Sequence, residues 1–417
     1  MFQSRGGSNI RMISVEEAQK IVLNAKLKPA VKKLPILEAL GMIMAEDIIS
    51  SDDIPIYDNS AMDGYAVRAI DIKGADKSYP IRLMLAGESI QAGKISGVTV
   101  DPGFCIPIMT GAPIPSGADS VVIKEDTQRD AVSVLVFREI KKGENVRYRG
   151  EDIKKGSTVF KNGNMINPAS IGVLASMGVD KVKVYGCPVI GVLATGNELI
   201  GIDGKLMAGK VRDSNSYLLS AQIKDMNVEH RRYGIARDDE ELLSKNIKKA
   251  LKECNILVLS GGISVGEYDP VKEVLDDLGA ELIFWRVNQN PGKPLAFFKY
   301  GSKFIFSLPG NTVSSMICFE MYIRPMIRKY MGYQSLLRPA VEGEAIHGFK
   351  NKSGRVNFVR VIVERKEGYY VFGIAGNQKP GVSSSMVRAN GIVYLPANMG
   401  DVEKGSRVKI YLLSEIV

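Results

Sequence analysis

The chain has 417 residues, 45% of them hydrophobic and 24% charged, and carries a formal net charge of +9. That length exceeds the ~250–300 residues at which a single core stops growing, so more than one domain is expected. No apolar run approaches the ~18 residues needed to cross a bilayer, which leaves no membrane span. The first residues, MFQSRGGSNIRM, lack the apolar stretch of a secretory signal, so a cytoplasmic location is the default expectation.

Cys105, Cys187, Cys254 and Cys318 are far apart and, with only His230 and His347 beside them, offer no zinc-site spacing. Buried free thiols fit them better. The positive charge favours anionic partners. A single Trp, no RNP-like aromatic strand and no long Lys/Arg block argue against nucleic acid. A phosphate-bearing small molecule or an oxyanion accounts for the charge equally well.

Along the chain, residues 13–26 predict a helix, capped by Ser14 with Glu17 in capping-box position and an apolar stripe of Val15, Ala18, Ile21, Val22 and Ala25. Residues 34–47 predict a second helix, weakened by Gly41. The stretch PIYDNSAMDGYAV follows, from Pro55 to Val67, with Asp58, Asn59, Ser60 and Asp63 crowded before a strand. Either it is a polar turn or it grips a polar ligand. From residue 65 to 136 short apolar runs alternate with Gly/Pro turns, a β-rich module. Residues 138–155 hold seven basic and four acidic side chains, a poor core segment and a candidate junction. NPASIGVLASMG predicts a helix over 168–177, closed by Gly178 and packed back on the first two.

After Gly186 strand and helix alternate. VIGVLATG, ILVLSGG, ELIFWRV and KFIFSLPGN predict strands; SYLLSAQIKDM, residues 238–253, PVKEVLDDLG and residues 312–331 predict helices. This is a doubly wound α/β domain with a mostly parallel sheet. From residue 336 onward only strands are predicted, in a small β domain.

Ligands of open α/β sheets sit outside the carboxyl ends of the strands. Three strands here end in glycine turns: LATGNEL (193–199), LSGGISVGEYD (259–269) and SLPGNTVSS (307–315). Glycines let a ligand approach the backbone, and following helix N-termini offer free N–H groups to an anion. Glu198, Glu267 and Asp269 beside these turns make sense if a divalent cation stands between them and a phosphate. Plain structural roles remain open for each. Glu198 also fits an exposed turn, and Asp238 fits a helix cap with Glu241 completing its box. Asp213 fits a turn before a helix capped by Asn215 or Ser216. Lys293, fixed between Gly292 and Pro294, fits either a solvated turn or a rigidly presented anion ligand.

DNSAMDGYAV, IMTGAPIPSGADSVV, VRYRGEDI, LATGNEL, DSNSYLL, SGGISVGEYD, NPGKP and LPGN occur in that order. Together they closely resemble the MoeA family of molybdopterin molybdenumtransferases, which is related to the gephyrin E domain; the resemblance runs from Met12 to the C-terminus. It implies an α/β multidomain fold. An elongated helical N-terminal domain (12–52 with 150–186) would carry an inserted β-rich module (53–149). A MogA-like doubly wound α/β domain (187–332) and a small β-barrel-like C-terminal domain (335–417) would follow.

The resemblance also implies a reaction. Adenylylated molybdopterin and molybdate or tungstate would give molybdenum cofactor and AMP, with Mg2+. Asp63, Thr110, Arg147, Asp152, Glu198, Asp238, Asp269 and Lys293 would be the catalytic positions, with Glu198, Asp238 and Asp269 as metal ligands. Thr195, Gly196, Asp213, Ser260, Gly261, Gly262, Ser264, Pro309, Gly310, Asn311 and Arg355 would bind substrate. A homodimer is implied, with the β module of one subunit facing the α/β cleft of the other; a MogA-type enzyme and a cofactor-acceptor protein are implied partners. This chain departs from many members at Asn290 (Lys in KPGKP), Thr312 (Pro in LPGNP) and Lys379-Pro380 (Gly-Ser in QGSG). The competing readings are a MogA-type molybdopterin adenylyltransferase and a non-catalytic, gephyrin-like scaffold. The N-terminal module and C-terminal β domain speak against the first of these.

Overall fold

A computed structural model describes residues 12–262, 270–414 and 416. The chain forms two compact units, Lys33–Val182 and Met1–Lys32 with Lys183–Val417.

In the Lys33–Val182 unit, six strands form one sheet in the order Ser120–Ile123, Gly64–Val67, Phe104–Ile108, Ile81–Leu85, Ser133–Val136, Thr127–Arg129. Side chains alternate between its faces. Tyr65, Val67 and Cys105 join one apolar cluster, while Ala66, Ile106 and Ile108 join another. A Cβ at Gly64 would collide with the Val122 carbonyl oxygen, so the strand can pair there only as glycine.

The helix Pro168–Ser176 begins at Asn167, whose side chain accepts the Ser170 N–H while the Ser170 hydroxyl accepts the Asn167 N–H. Gly178 follows at φ +71°. The helix expected over 34–47 does not form. Val31–Pro35 are a strand, and turns follow. Pro35 lacks an N–H, and Gly41 adopts φ +79°. The donors that a helix would keep internal go elsewhere: Ile36 N–H to Asp180 O (3.0 Å), Gly41 N–H to Ile166 O (2.8 Å) and Met44 N–H to Asn164 O (2.9 Å). The expected helical N-terminal domain is therefore corrected: this unit is mostly strand and turn. The first helix, Val15–Asn24, belongs to the other unit, where Val15, Ala18 and Val22 pack in the core with Phe319 and Tyr322. Ser14 caps it, accepting the Glu17 N–H at 3.1 Å.

In that second unit the sheet order is His230–Ala236, Ile190–Thr195, Ile256–Ser260, Lys303–Leu308, Ala296–Tyr300, Glu281–Trp285. The first four strands run parallel; Ala296–Tyr300 is antiparallel to both its neighbours. Val192, Val258 and Phe306 face one core, and Leu193, Leu259 and Ile305 the other. Burial on both faces is the physical meaning of the continuous apolar runs in these strands. Helices Asn215–Lys224, Glu240–Glu253 and Pro270–Asp277 cover the sheet. The helix expected over 312–331 is interrupted. Thr312–Cys318 and Arg324–Tyr330 are α-helical, and Phe319–Ile323 between them is a π-helical turn. His230–Ala236 and Ala296–Tyr300 are strands that the sequence pattern does not predict; HRRYGIA is too polar to read as one.

The C-terminal strands are Ala340–Ala345, Val356–Lys366, Tyr369–Ile374, Gly391–Leu395 and Arg407–Leu412. Val356–Lys366 pairs with both Tyr369–Ile374 and Gly391–Leu395, which closes a small barrel. A short helix, Ser384–Arg388, was also unforeseen.

Candidate active-site cleft

At the carboxyl ends of the parallel strands lies a cleft of about 240 Å³, lined by Thr195, Glu198, Leu199, Val211, Arg212, Asp213, Ser214, Asn215, Ser260, Gly261, Gly310 and Thr312. All three glycine turns reach it or flank it. Gly261 and Gly262 adopt φ +93° and +72°; a Cβ at Gly261 would strike the Thr195 carbonyl oxygen, and one at Gly262 would stand 2.7 Å from Thr195 Oγ1. These two glycines let the turn fold down against its neighbouring strand. A Cβ at Gly196 would meet the Glu198 carboxylate at 2.5 Å, so glycine there leaves the space that carboxylate occupies.

Asp213 is buried and holds the start of the helix Asn215–Lys224. Its carboxylate accepts the Ser216 N–H at 3.0 Å and the Ser216 hydroxyl. Asn215, buried behind it, donates its amide to Ser260 Oγ (2.9 Å) and Gly310 O (2.7 Å), tying this helix to two of the turns. Among the described residues, Thr195 Oγ1 and Asn215 Oδ1 are buried with no hydrogen-bond partner. Both belong to residues that line the cleft. Ser315 Oγ donates to Pro309 O (2.6 Å) and fixes the LPGN turn, whose Asn311 precedes the helix Thr312–Cys318.

Asp238 is not the helix cap. Asp239 caps Glu240–Glu253 by accepting the Leu242 N–H at 2.8 Å. Asp238 instead exchanges two bonds with Asn197: its carboxylate accepts the Asn197 N–H, and its own N–H reaches Asn197 Oδ1, each at 3.2 Å. Glu198, which lines the cleft, and Asp238, which does not, thus both adjoin Asn197. Lys293 is half-buried on the loop before Ala296–Tyr300, and Arg355 is exposed just before Val356–Lys366; neither lines the cleft. Ser264, Glu267 and Asp269 lie outside the described residues. Among those described, no three His, Cys, Asp or Glu side chains form a metal-ligating group.

Asp63, Thr110, Arg147 and Asp152 belong to the Lys33–Val182 unit. Asp63 Oδ1 accepts the Thr110 N–H (2.7 Å) and hydroxyl (2.8 Å), and the Thr110 backbone N–H is the main reason its carboxyl titrates below the usual range. Asn59 and Ser60 pair with Arg147 and Val146. Asp58 accepts the Arg149 N–H at 2.7 Å, and Asp53 accepts Arg149 Nε at 2.7 Å. Asp152 donates its N–H to Ile54 O at 3.1 Å. The crowded polar turn therefore draws the 110–113 and 145–155 segments onto itself.

Arg212, Ser214 and, above all, Asn215 line the cleft, although the sequence marks Asn215 only as a helix cap. A polar residue flanking Asp213, at a helix start beside strand-end turns, was the available signal.

An open α/β sheet with a polar strand-end cleft, a small barrel and a β-rich unit define a multidomain protein. Residues 13–178 match the MoeA N-terminal region (domain I and II), residues 191–329 the probable molybdopterin binding domain, and residues 343–413 the MoeA C-terminal region (domain IV). A molybdopterin molybdenumtransferase of Haemophilus influenzae is 33% identical over 403 residues, covering 96% of this chain and 98% of the relative. A putative molybdopterin biosynthesis protein of Methanocaldococcus jannaschii is 37% identical over 417 residues, covering 96% and 98%. The crystal structure of a molybdopterin biosynthesis MoeA protein from Pyrococcus horikoshii aligns with TM-score 0.83 at 30% identity, covering 97% of this chain and 100% of that one. The chain belongs to the MoeA family. Its fold is MoeA-like, with a MogA-like α/β domain and a small C-terminal barrel, and it is a transferase of molybdenum cofactor biosynthesis.

Proposed function

We propose that the protein cleaves adenylylated molybdopterin, releases AMP, and places molybdate or tungstate metal in the pterin dithiolene. The strand-end cleft carries this reading: glycine backbone, buried hydroxyls and amides, and the Glu198 carboxylate suit a phosphate-bearing ligand. Glu198 and Asp238 would repel such a polyanion if nothing stood between them. Oxygen donors of this kind fit Mg2+, which takes one or two carboxylates alongside substrate phosphate oxygens; Asp269 is proposed as a third ligand. Bound there, the ion would offset charge building on the anhydride as it breaks. Asp213 and Asn215 keep the cleft wall in place, and Lys293 supplies a cation to the substrate.

The oxyanion is proposed to enter near Asn290. A cavity of about 210 Å³ beside it is lined by side chains including Asn290, Lys350, Lys352, Asn357 and Gln378, with no carboxylate among its lining residues. Lys350 there is paired with Asp401 at 2.7 Å, and the Asn290, Asn357 and Gln378 amides already donate within the protein, so Lys352 is the donor proposed to meet the anion. The active species is proposed to be a cytoplasmic homodimer in which Asp63, Thr110, Arg147 and Asp152 of one copy complete the cleft of the other. A MogA-type enzyme would supply the adenylylated substrate, and an acceptor protein would take the product.

Turnover decides the reading. AMP release from adenylylated molybdopterin that depends on added oxyanion is expected. ATP consumption with molybdopterin alone would point to the adenylyltransferase, and neither activity to a scaffold.

A further inference from the structure

Lys293 sits on an irregular loop that is pinned from behind. Gln289 is fully buried and sends its side-chain amide to the carbonyl oxygens of Pro291 (3.1 Å) and Gly292 (3.3 Å). The Tyr322 hydroxyl donates to Gln289 Oε1. That bond settles which end of the amide faces the loop, since an oxygen engaged by a phenol leaves the NH2 for the carbonyls. The Cys318 thiol reaches Gly292 O at 3.7 Å. Gly292 adopts φ +95°, and a Cβ there would stand 2.6 Å from Gln289 Nε2 and 2.7 Å from Cys318 Sγ. Only glycine permits this contact. Lys293 itself is held through its carbonyl, which accepts the N–H groups of Val287 (3.0 Å) and Leu295 (2.9 Å).

Cys318 ends the α-helical segment that starts at Thr312, and Tyr322 lies in the π-helical turn after it. Such turns redirect side chains and recur at functional sites. Thr312, at the other end of the segment, lines the strand-end cleft. One element therefore sets both the LPGN turn and the loop that carries Lys293. A Tyr–Gln pair is a poor device for stability alone, because an apolar pair of the same shape is close to neutral in a core.

We propose that Tyr322 and Gln289, with Cys318 packed beside them, are positioning residues that hold the Lys293 loop in register with the cleft; the inference rests on the substrate role proposed for Lys293. They touch no substrate and act through the loop backbone.

The test uses the full chain with Tyr322→Phe, which removes one hydroxyl, and Gln289→Met as a second variant of similar shape. Three quantities are measured: melting temperature, AMP release from adenylylated molybdopterin with molybdate, and the rate at which acetic anhydride labels Lys293, read by peptide mass spectrometry. In at least one folded variant, turnover should fall about tenfold with KM for the adenylylated substrate changing less than about twofold. Lys293 labelling should rise in the same variant, read well below its melting transition, which the buried group left unpaired lowers by no more than a few degrees. Unchanged turnover and labelling in both variants, with Lys293→Ala inactive, overturns the positioning role. If Lys293→Ala retains full AMP release, the substrate role of Lys293 fails, and the labelling rate alone decides whether the pair holds the loop. A loss of turnover that only follows a loss of melting temperature also overturns it.

Discussion

At the scale of single residues, the departures from the family pattern acquire definite surroundings. Asn290 donates its amide to Asn357 Oδ1 at 2.8 Å and lines the amide-rich cavity. Two opposite charges ~4 Å apart in an intermediate dielectric attract by about 4 kcal/mol before desolvation; net gains from charged hydrogen bonds are on the order of 1–3 kcal/mol. Asn290→Lys would add such a charge but leave Asn357 Oδ1 unpaired, so the lower end applies. The oxyanion concentration for half-maximal cofactor formation should fall severalfold, with nucleotide affinity unchanged. Lys379 is exposed and does not line the cavity, whereas Lys352 does, and Lys350 is already paired with Asp401 at 2.7 Å. Lys352→Ala should therefore raise the half-maximal concentration more than Lys379→Ala; the reverse order would place the anion elsewhere. Asp63 gives a pH prediction. Its folded carboxyl titrates below the usual value of 3.8, chiefly through the Thr110 N–H and then the Thr110 hydroxyl. Its contribution to stability is thus present above the unfolded value and lost as pH falls through the depressed one. Thr110→Val removes the hydroxyl and keeps the N–H. The Asp63 titration midpoint, followed by carbon NMR, should move up only part of the way towards 3.8, and no shift would mean that the hydroxyl bond is absent in solution.

At the scale of elements, the interrupted helix that starts at Thr312 carries a buried charge. Glu320, 1% exposed in the π-helical turn, accepts Gln222 Nε2 (2.8 Å) and Arg338 Nε (2.8 Å). Arg338 also donates to Leu413 O at 2.9 Å, so one carboxylate ties two helical elements to the barrel strands' end. Breaking such a pair by removing one partner typically costs about 3–5 kcal/mol. Glu320→Ala should lower the melting temperature sharply and release the 335–340 and 413 segments to faster hydrogen exchange, while Glu320→Gln, which keeps an acceptor, should lose less. These elements also show what was legible in the sequence. The strands with continuous apolar runs, such as ILVLS, and the capped helices could be read because burial on both faces and cap chemistry leave local marks. The 34–47 segment could not: its apolar spacing looked helical, but Asp180, Asn164 and Ile166, more than a hundred residues away, take its N–H groups. The glycine turns pointed to the cleft, since positive φ demands glycine locally. Asn215 was invisible as a wall residue because its partners, Ser260 and Gly310, are distant in sequence.

At the scale of the whole molecule, the proposed site is divided between copies, and this can be tested without a structure of the dimer. In a two-fold dimer each copy offers the same surfaces, so two equivalent composite sites form, each drawing on both chains. Consider an Asp63→Ala chain mixed with a Glu198→Gln chain. Both parent homodimers should be nearly inactive, since every site lacks one group. In a heterodimer, one site receives both altered residues and the other receives neither. The second site is intact. If chains mix at random, half of the dimers are heterodimers with one working site each, so activity should recover to roughly a quarter of wild type. If Asp63 and Glu198 instead serve a site within one chain, every site in the mixture keeps one defect and nothing is recovered. Heterodimer formation is verified by native mass spectrometry with one chain isotopically labelled. Verified heterodimers that stay inactive would refute the shared site, and full activity in the Asp63→Ala homodimer would remove Asp63 from the reaction altogether.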